Sequence, residues 1–265
     1  MQWIFLLIAG LLTPTAAFAQ AKAFQGVSFI AGGVLSKGLS ASDVRYDYTN
    51  LFAGSVAPPG FATGDSYSLN RDDELHVMPV VGVGYTLALG EKVTLGLAGA
   101  ADFVRPKWTM KSGSETFANP TGVADNPRGY VMSTIVDPEI HWSVSIEPGY
   151  AVMDRLLAFL RFSFHQLRAD LSTRSTVSTA GLAGPVALTN PSSHATFNGF
   201  GIGAGGRYLL TKHAFIESSV EWTKFESKRV PAPGLTSTGD EITIRQAQYV
   251  KPEWVDFRVA VGFRF

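Results

Sequence analysis

The residues able to do chemistry recur at every second position. His141, Ser143 and Glu147 fall on one face of an extended segment, and Arg161 and His165 on one face of the next. Arg207, then Glu217 and Glu221, and finally Arg258 follow in the same manner. If three-residue turns join neighbouring segments, matching faces pair Glu147 with Arg161 and Arg207 with Glu217. Opposite charges facing one another across strands attract. Arg258 then lies at similar height beside the segment carrying Glu221. The chemistry expected is ion pairing in a shared layer of Glu147, Arg161, Arg207, Glu217, Glu221 and Arg258. Glu147 lies roughly 20 Å along a strand from His141, too far to orient it. Ser143 is expected opposite His165, in a plain hydrogen bond.

Other motifs carry less. Gly201-Ile-Gly-Ala-Gly-Gly206 has the spacing of a dinucleotide-binding turn, which must open a helix. Arg207-Tyr-Leu-Leu210 instead continues the alternation into a turn. Asp65 with Asp72-Asp73-Glu74 could hold a divalent cation or cation-bridged lipopolysaccharide phosphates. Calcium-loop spacing is lacking, so the preferred reading is a solvated loop base. No metal or cofactor site is assigned. Ser172–Thr179 reads as a mobile Ser/Thr loop.

The elements that position these residues are strands. From Val255 to Phe265 every odd position is apolar, while even positions are charged or small. The chain stops on an aromatic residue, and a closed barrel in lipid gives the greasy face acyl chains to meet. Seven earlier segments alternate likewise, at about residues 24–35, 77–89, 93–103, 140–152, 156–165, 199–210 and 216–223. Turns at 90–92, 153–155 and 211–213 are short; stretches 36–73, 105–137, 168–195 and 226–250 read as long loops. Short turns on one rim and long loops on the other mark periplasmic and extracellular sides. In an eight-stranded barrel, side chains fill the interior. Glycines at 82, 84, 96, 201, 203 and 205 are expected as spacers in a solvated polar plug. Trp142, Phe164, Trp222 and Phe103 are expected at the extracellular interface; Tyr150, Tyr208, Phe263 and Phe265 at the periplasmic one.

Composition fits. Hydrophobic residues make up 46% of 265, net charge is zero, and cysteine is absent. Nothing points to nucleic acid, and no thiol site is available. After residue 20 no apolar run reaches the ~18 residues of a spanning helix. Residues 1–19 read as a signal peptide, with an apolar stretch from Trp3 to Leu12 and a small-x-small site at Ala17-Phe-Ala19. Residues 20–265 form one barrel domain; cleavage after Ala21 is the alternative. The expectation is all-β: an eight-stranded antiparallel up-and-down transmembrane barrel.

From residue 24 to Phe265 the pattern resembles the small eight-stranded outer-membrane proteins of Gram-negative bacteria, the OmpA-transmembrane, OmpX and opacity-type surface proteins. The resemblance implies a structural, adhesin-like or porin-like surface protein in the outer membrane. Its partners would be membrane lipid and lipopolysaccharide, a host or surface ligand, and the barrel assembly machinery. In such proteins the terminal aromatic strand is the assembly signal, here Phe263 and Phe265. His141-Trp-Ser143 with Glu147 also resembles outer-membrane lipid A deacylases, in which a His-x-Ser pair works with a carboxylate facing the lipid. Here these groups are expected to face inward, so the chain is read as no enzyme. A lipid A-modifying enzyme and a narrow passive pore are the alternatives.

Overall fold

Residues alternating between apolar and small or polar side chains make a wall with two chemically distinct faces, and such walls close when both edges can pair. The computed structural model describes residues 21–39, 41–47, 66–71, 75–102, 107–111, 115–117, 128–178, 186–189, 193–231, 235–236 and 243–265. Residues 1–19, Asp65, Asp72-Asp73-Glu74 and Phe103 lie outside them.

The strands are β1 (Gly26–Gly38), β2 (Ala41–Asp47), β3 (Ser66–Arg71), β4 (Leu75–Ala88), β5 (Val93–Asp102), β6 (Trp108–Lys111), β7 (Glu115–Phe117) and β8 (Arg128–Met153). Then come β9 (Leu156–Ser178), β10 (Val186–Thr189), β11 (Ser193–Leu209), β12 (Ala214–Phe225), β13 (Lys228–Pro231), β14 (Leu235–Thr236), β15 (Thr243–Lys251) and β16 (Glu253–Arg264). Eight of them form a closed antiparallel barrel in the order β1-β4-β5-β8-β9-β11-β12-β16, with β16 returning to β1. The first and last staves pair from Ser28↔Arg264 to Gly38↔Trp254. The short-turn hairpins have the registers read from sequence: Val80 faces Asp102, Ser143 faces His165 and Arg207 faces Glu217.

Much of what reads as long loop is strand. β8 has 26 residues and β9 has 23, against the ~9–11 needed to cross a bilayer. The Ser/Thr run belongs to β9 through Ser178. Beyond the barrel proper, pairing continues as β8-β6-β3-β2-β15-β13. These stretches stand in water, where neither face must be apolar, so no hydrophobic period marks them. A register shift falls between Pro138 and Ile140. Before it, Thr134, Val136 and Pro138 point inward; after it, His141, Ser143 and Ser145 do. Such a bulge lets one strand change sidedness without leaving the sheet.

The interior is layered rather than polar throughout. Near the short-turn rim, Phe24, Ala151, Leu157, Leu209 and Phe215 make a buried apolar cluster. A short 3₁₀ turn, Ala21–Phe24, seats Phe24 there, and the Ala21 amide donates to the Glu91 carbonyl at 2.7 Å. Toward the other rim, Trp108, Val136, Leu167, Phe197, Phe225, Val250 and Trp254 are buried. The charged residues lie between these two apolar plugs.

Candidate functional site: the sealed lumenal network

Five of the six residues expected in the charge layer are joined. Arg161 Nε donates to Glu147 Oε1 on the neighbouring strand at 2.8 Å, and Arg161 Nη2 reaches past β11 to Glu217 Oε1 at 2.8 Å. Arg207 Nε donates to Glu217 Oε2 at 2.6 Å, and Arg207 Nη2 reaches Glu147 Oε2. Each arginine therefore grips both glutamates, in a ring of alternating sign. The remaining donors reach hydroxyls: Arg161 Nη1 to Ser219 Oγ at 3.0 Å, Arg207 Nη1 to Thr86 Oγ1 at 3.3 Å. Both guanidinium groups also stand over the Phe159 ring, at 5.2 and 4.9 Å from its centroid. A buried ion set is tolerable only when satisfied this fully.

Glu221 joins more loosely, with Arg161 Nη1 3.9 Å from its Oε2. Arg258, across the ladder from Ser219, stays outside the ring. It lines a small lumenal cavity with Ser28, Ser143, Ser145, Arg161 and Arg207, and its Nε makes no hydrogen bond among the described residues.

Above the ring runs a chain that the sequence did not reveal. Asp102 Oδ1 is 2.8 Å from His141 Nδ1, and His141 Nε2 is 2.9 Å from His165 Nδ1. His165 Nε2 is 2.7 Å from Ser163 Oγ and 3.0 Å from Glu221 Oε1, and Ser163 Oγ donates to that same glutamate oxygen. The two imidazoles stack nearly parallel, with centroids 5.1 Å apart. All five residues are buried. Phe225 and Trp254 cap the pair, with His141 lying 5.5 Å from the Trp254 ring and His165 6.1 Å from that of Phe225. Gly201 leaves the room this needs: a Cβ there would stand 2.7 Å from His165 Nε2.

Ser143 does face His165 in the ladder, yet His165 turns to Ser163, so the hydrogen bond expected between Ser143 and His165 is replaced by this one. His141 and Ser143 are 5% and 7% exposed and point into the lumen, away from any lipid outside. Gly201–Gly206 lie within β11, with no helix after them.

On the outer surface of the extended strands, Glu139, Asp170 and His194 bring ligand-capable atoms within 4.8 Å of one another. Arg168 Nε already holds Glu139 at 2.6 Å, and His194 pairs with Asp170. Nearby, outside the membrane band, Lys228 and the Asn198 amide hydrogen-bond Glu226 and hold its carboxyl below the usual carboxylate range.

The wall completes the picture. Val83, Tyr85, Leu97, Val144, Ile146, Leu160, Phe162, Ile202, Val220, Phe257 and Val261 all project outward and are exposed. No protein layer covers them among the described residues, while Ser, Thr, Arg and Glu occupy the alternate positions inside. Water would not tolerate a continuous apolar belt of this extent; hydrocarbon requires it. The chain is a transmembrane β-barrel of the outer-membrane kind.

Aromatic residues border the belt. Trp142, Phe164 and Phe200 form a contiguous row, with centroids 5.9 and 5.8 Å apart, and Trp222 Nε1 donates to Glu253. At the opposite rim Tyr150, Tyr208, Phe263 and Phe265 are exposed, and Phe265 packs edge-on to Phe29 at 6.0 Å.

No family model and no curated protein matches the chain. Among solved structures, the barrel is similar to Ail, the attachment invasion locus protein of Yersinia pestis, at 11% identity over 91% of this chain and 99% of that one, TM-score 0.34. It is similar to neisserial surface protein A at 11% identity over 91% and 97%, TM-score 0.37. It is similar to OprG of Pseudomonas aeruginosa at 12% identity over 94% and 99%, TM-score 0.37. Strand pairing and the sidedness of the wall decide the assignment on their own.

Proposed function

We propose that this outer-membrane barrel is a closed, non-enzymatic surface protein, whose extended extracellular strands present a binding face to a host or other surface ligand. The observation that carries this reading is the β8–β9 hairpin. It pairs from Met153↔Leu156 at one rim to Gly129↔Ser178 far past the Trp142 row, above a lumen closed by two plugs. A barrel used for transport has reason to keep its interior open; a barrel used as a pedestal has reason to be rigid and tall. The sealed layers argue against a passive pore. The inward, capped positions of His141 and Ser143 argue against lipid A modification, whose substrate lies outside.

Residues 1–19 serve as the export signal in this reading. Phe263 and Phe265, exposed on the terminal strand, are what the assembly machinery recognises. Lipopolysaccharide and outer-membrane lipid surround the apolar belt.

The test removes the far ends of the two strands, residues 129–136 with their partners 171–178, and leaves the barrel intact. Bacteria displaying the full chain should adhere to host-cell or matrix-coated surfaces, and the shortened barrel should not. Equal adhesion by both, steady single-channel conductance of the full chain in planar bilayers, or altered lipid A that Ser143→Ala abolishes would each overturn the proposal.

A further inference from the structure

The chain from Asp102 to Glu221 fixes how many protons it must hold. Four imidazole nitrogens take part. His141 Nδ1 faces the Asp102 carboxylate at 2.8 Å and so carries a proton. His141 Nε2 and His165 Nδ1 are 2.9 Å apart, so one proton lies between them; none would set two lone pairs together, and two would set two N–H groups together.

The last nitrogen decides the count. His165 Nε2, Ser163 Oγ and Glu221 Oε1 form a triangle in which every side is a hydrogen-bond contact. Ser163 has one proton and gives it to Glu221. If His165 Nε2 were bare, its lone pair would then face a carboxylate oxygen at 3.0 Å with nothing between them. A proton on Nε2 satisfies both remaining sides. Two rings then carry three protons, where two neutral imidazoles carry two.

We propose that the sealed lumen is a proton-binding site, in which His141 and His165 share one extra proton as an imidazole–imidazolium pair clamped between Asp102 and Glu221. A carboxylate stands at each end of that charge. Among the described residues, the inward-facing acids are Asp102 on β5, Glu147 on β8, Glu217 and Glu221 on β12 and Asp256 on β16; the inward-facing arginines are Arg161 on β9, Arg207 on β11 and Arg258 on β16. Among the described residues, the other inward-facing groups at this height are uncharged: Ser143 on β8, Ser163 on β9, Gly201 on β11, Thr223 and Phe225 on β12, Trp254 on β16, and Val34, Ser36, Met78 and Val80 on β1 and β4. Phe225 and Trp254 exclude bulk water from above. The proton is thus held by built partners on both sides, not by exchange with solvent.

Full-length protein labelled with nitrogen-15 in its histidines, in detergent micelles at neutral pH, tests this directly. His141→Gln and His165→Gln assign the ring signals. Three of the four ring nitrogens should appear protonated. Glu221→Gln removes the carboxylate that demands the third proton, and the count should fall to two. Ser163→Ala leaves the carboxylate in place, and the count should stay at three. Two or four protonated nitrogens in the unmodified protein would overturn the proposal, and so would three retained in Glu221→Gln.

Discussion

Glu217→Gln is the most informative single change in the charged ring. Glu217 is wholly buried and accepts from Arg161 Nη2 at 2.8 Å and Arg207 Nε at 2.6 Å. The amide keeps the shape and removes the charge. Two guanidinium groups are then left on Glu147, with only the looser Glu221 contact to Arg161 beside it, inside a lumen closed by apolar layers. Breaking a buried pair by discharging one partner costs about 3–5 kcal/mol. With a urea slope of about 2 kcal/mol per molar, the unfolding midpoint should fall by about 2 M. Reversible unfolding of folded barrel in lipid vesicles, followed by tryptophan fluorescence, measures it. Adding Arg207→Gln should recover part of the loss, because it removes the charge left without its partner; a coupling of about 2 kcal/mol is expected. A single-mutant cost below about 1 kcal/mol, the range of solvent-exposed pairs, with additive effects in the double mutant, would refute the buried ring.

Trp254→Ala should cost about 3–5 kcal/mol, because a nearly inaccessible indole packed on Phe225 leaves a cavity; the same urea assay reads it. Leu97→Arg places a charge on the lipid face and should destabilise by about 2–4 kcal/mol in vesicles if the site lies at the midplane. Gly201→Ala should cost about 1–3 kcal/mol by overpacking against Glu221 and His165, seen as a lower midpoint. Glu226 should titrate below the ordinary glutamate range, since Lys228 and Asn198 favour its ionised form, and Lys228→Met should move it back toward that range. Its bridge is present above the unfolded carboxylate pKa and is lost as pH falls through the lower folded value; carbon-13 shifts of the side chain follow this.

What the sequence reveals divides along the membrane boundary. Within it, one face must be greasy, so parity alone places Glu147, Arg161, Arg207, Glu217 and Glu221 inside. Short turns fix hairpin registers, which is why Arg207 opposite Glu217 is legible. Asp102 beside His141 is not. Their strands, β5 and β8, are joined through a long stretch that sets no register, so the stagger that aligns them appears only on closure. The bulge after Pro138 is hidden for a related reason, since polar residues on both faces leave no period for it to interrupt. The same silence makes the upper parts of β8 and β9 read as loops. The apolar plugs are not legible either: Phe225 and Trp254 look like ordinary strand residues until β12 and β16, joined through a long stretch that sets no register, pair and bring their rings within 4.4 Å.

Because the chain has no cysteine, single cysteines introduced along β12 can carry spin labels without background. Labels at Ile216, Ser218, Val220 and Trp222 should be reached by oxygen dissolved in the bilayer, and labels at Glu217, Ser219, Glu221 and Thr223 by neither oxygen nor a water-soluble nickel chelate. Equal accessibility at all eight positions, or entry of the chelate at the inward ones, would contradict a lipid-facing wall around a sealed interior.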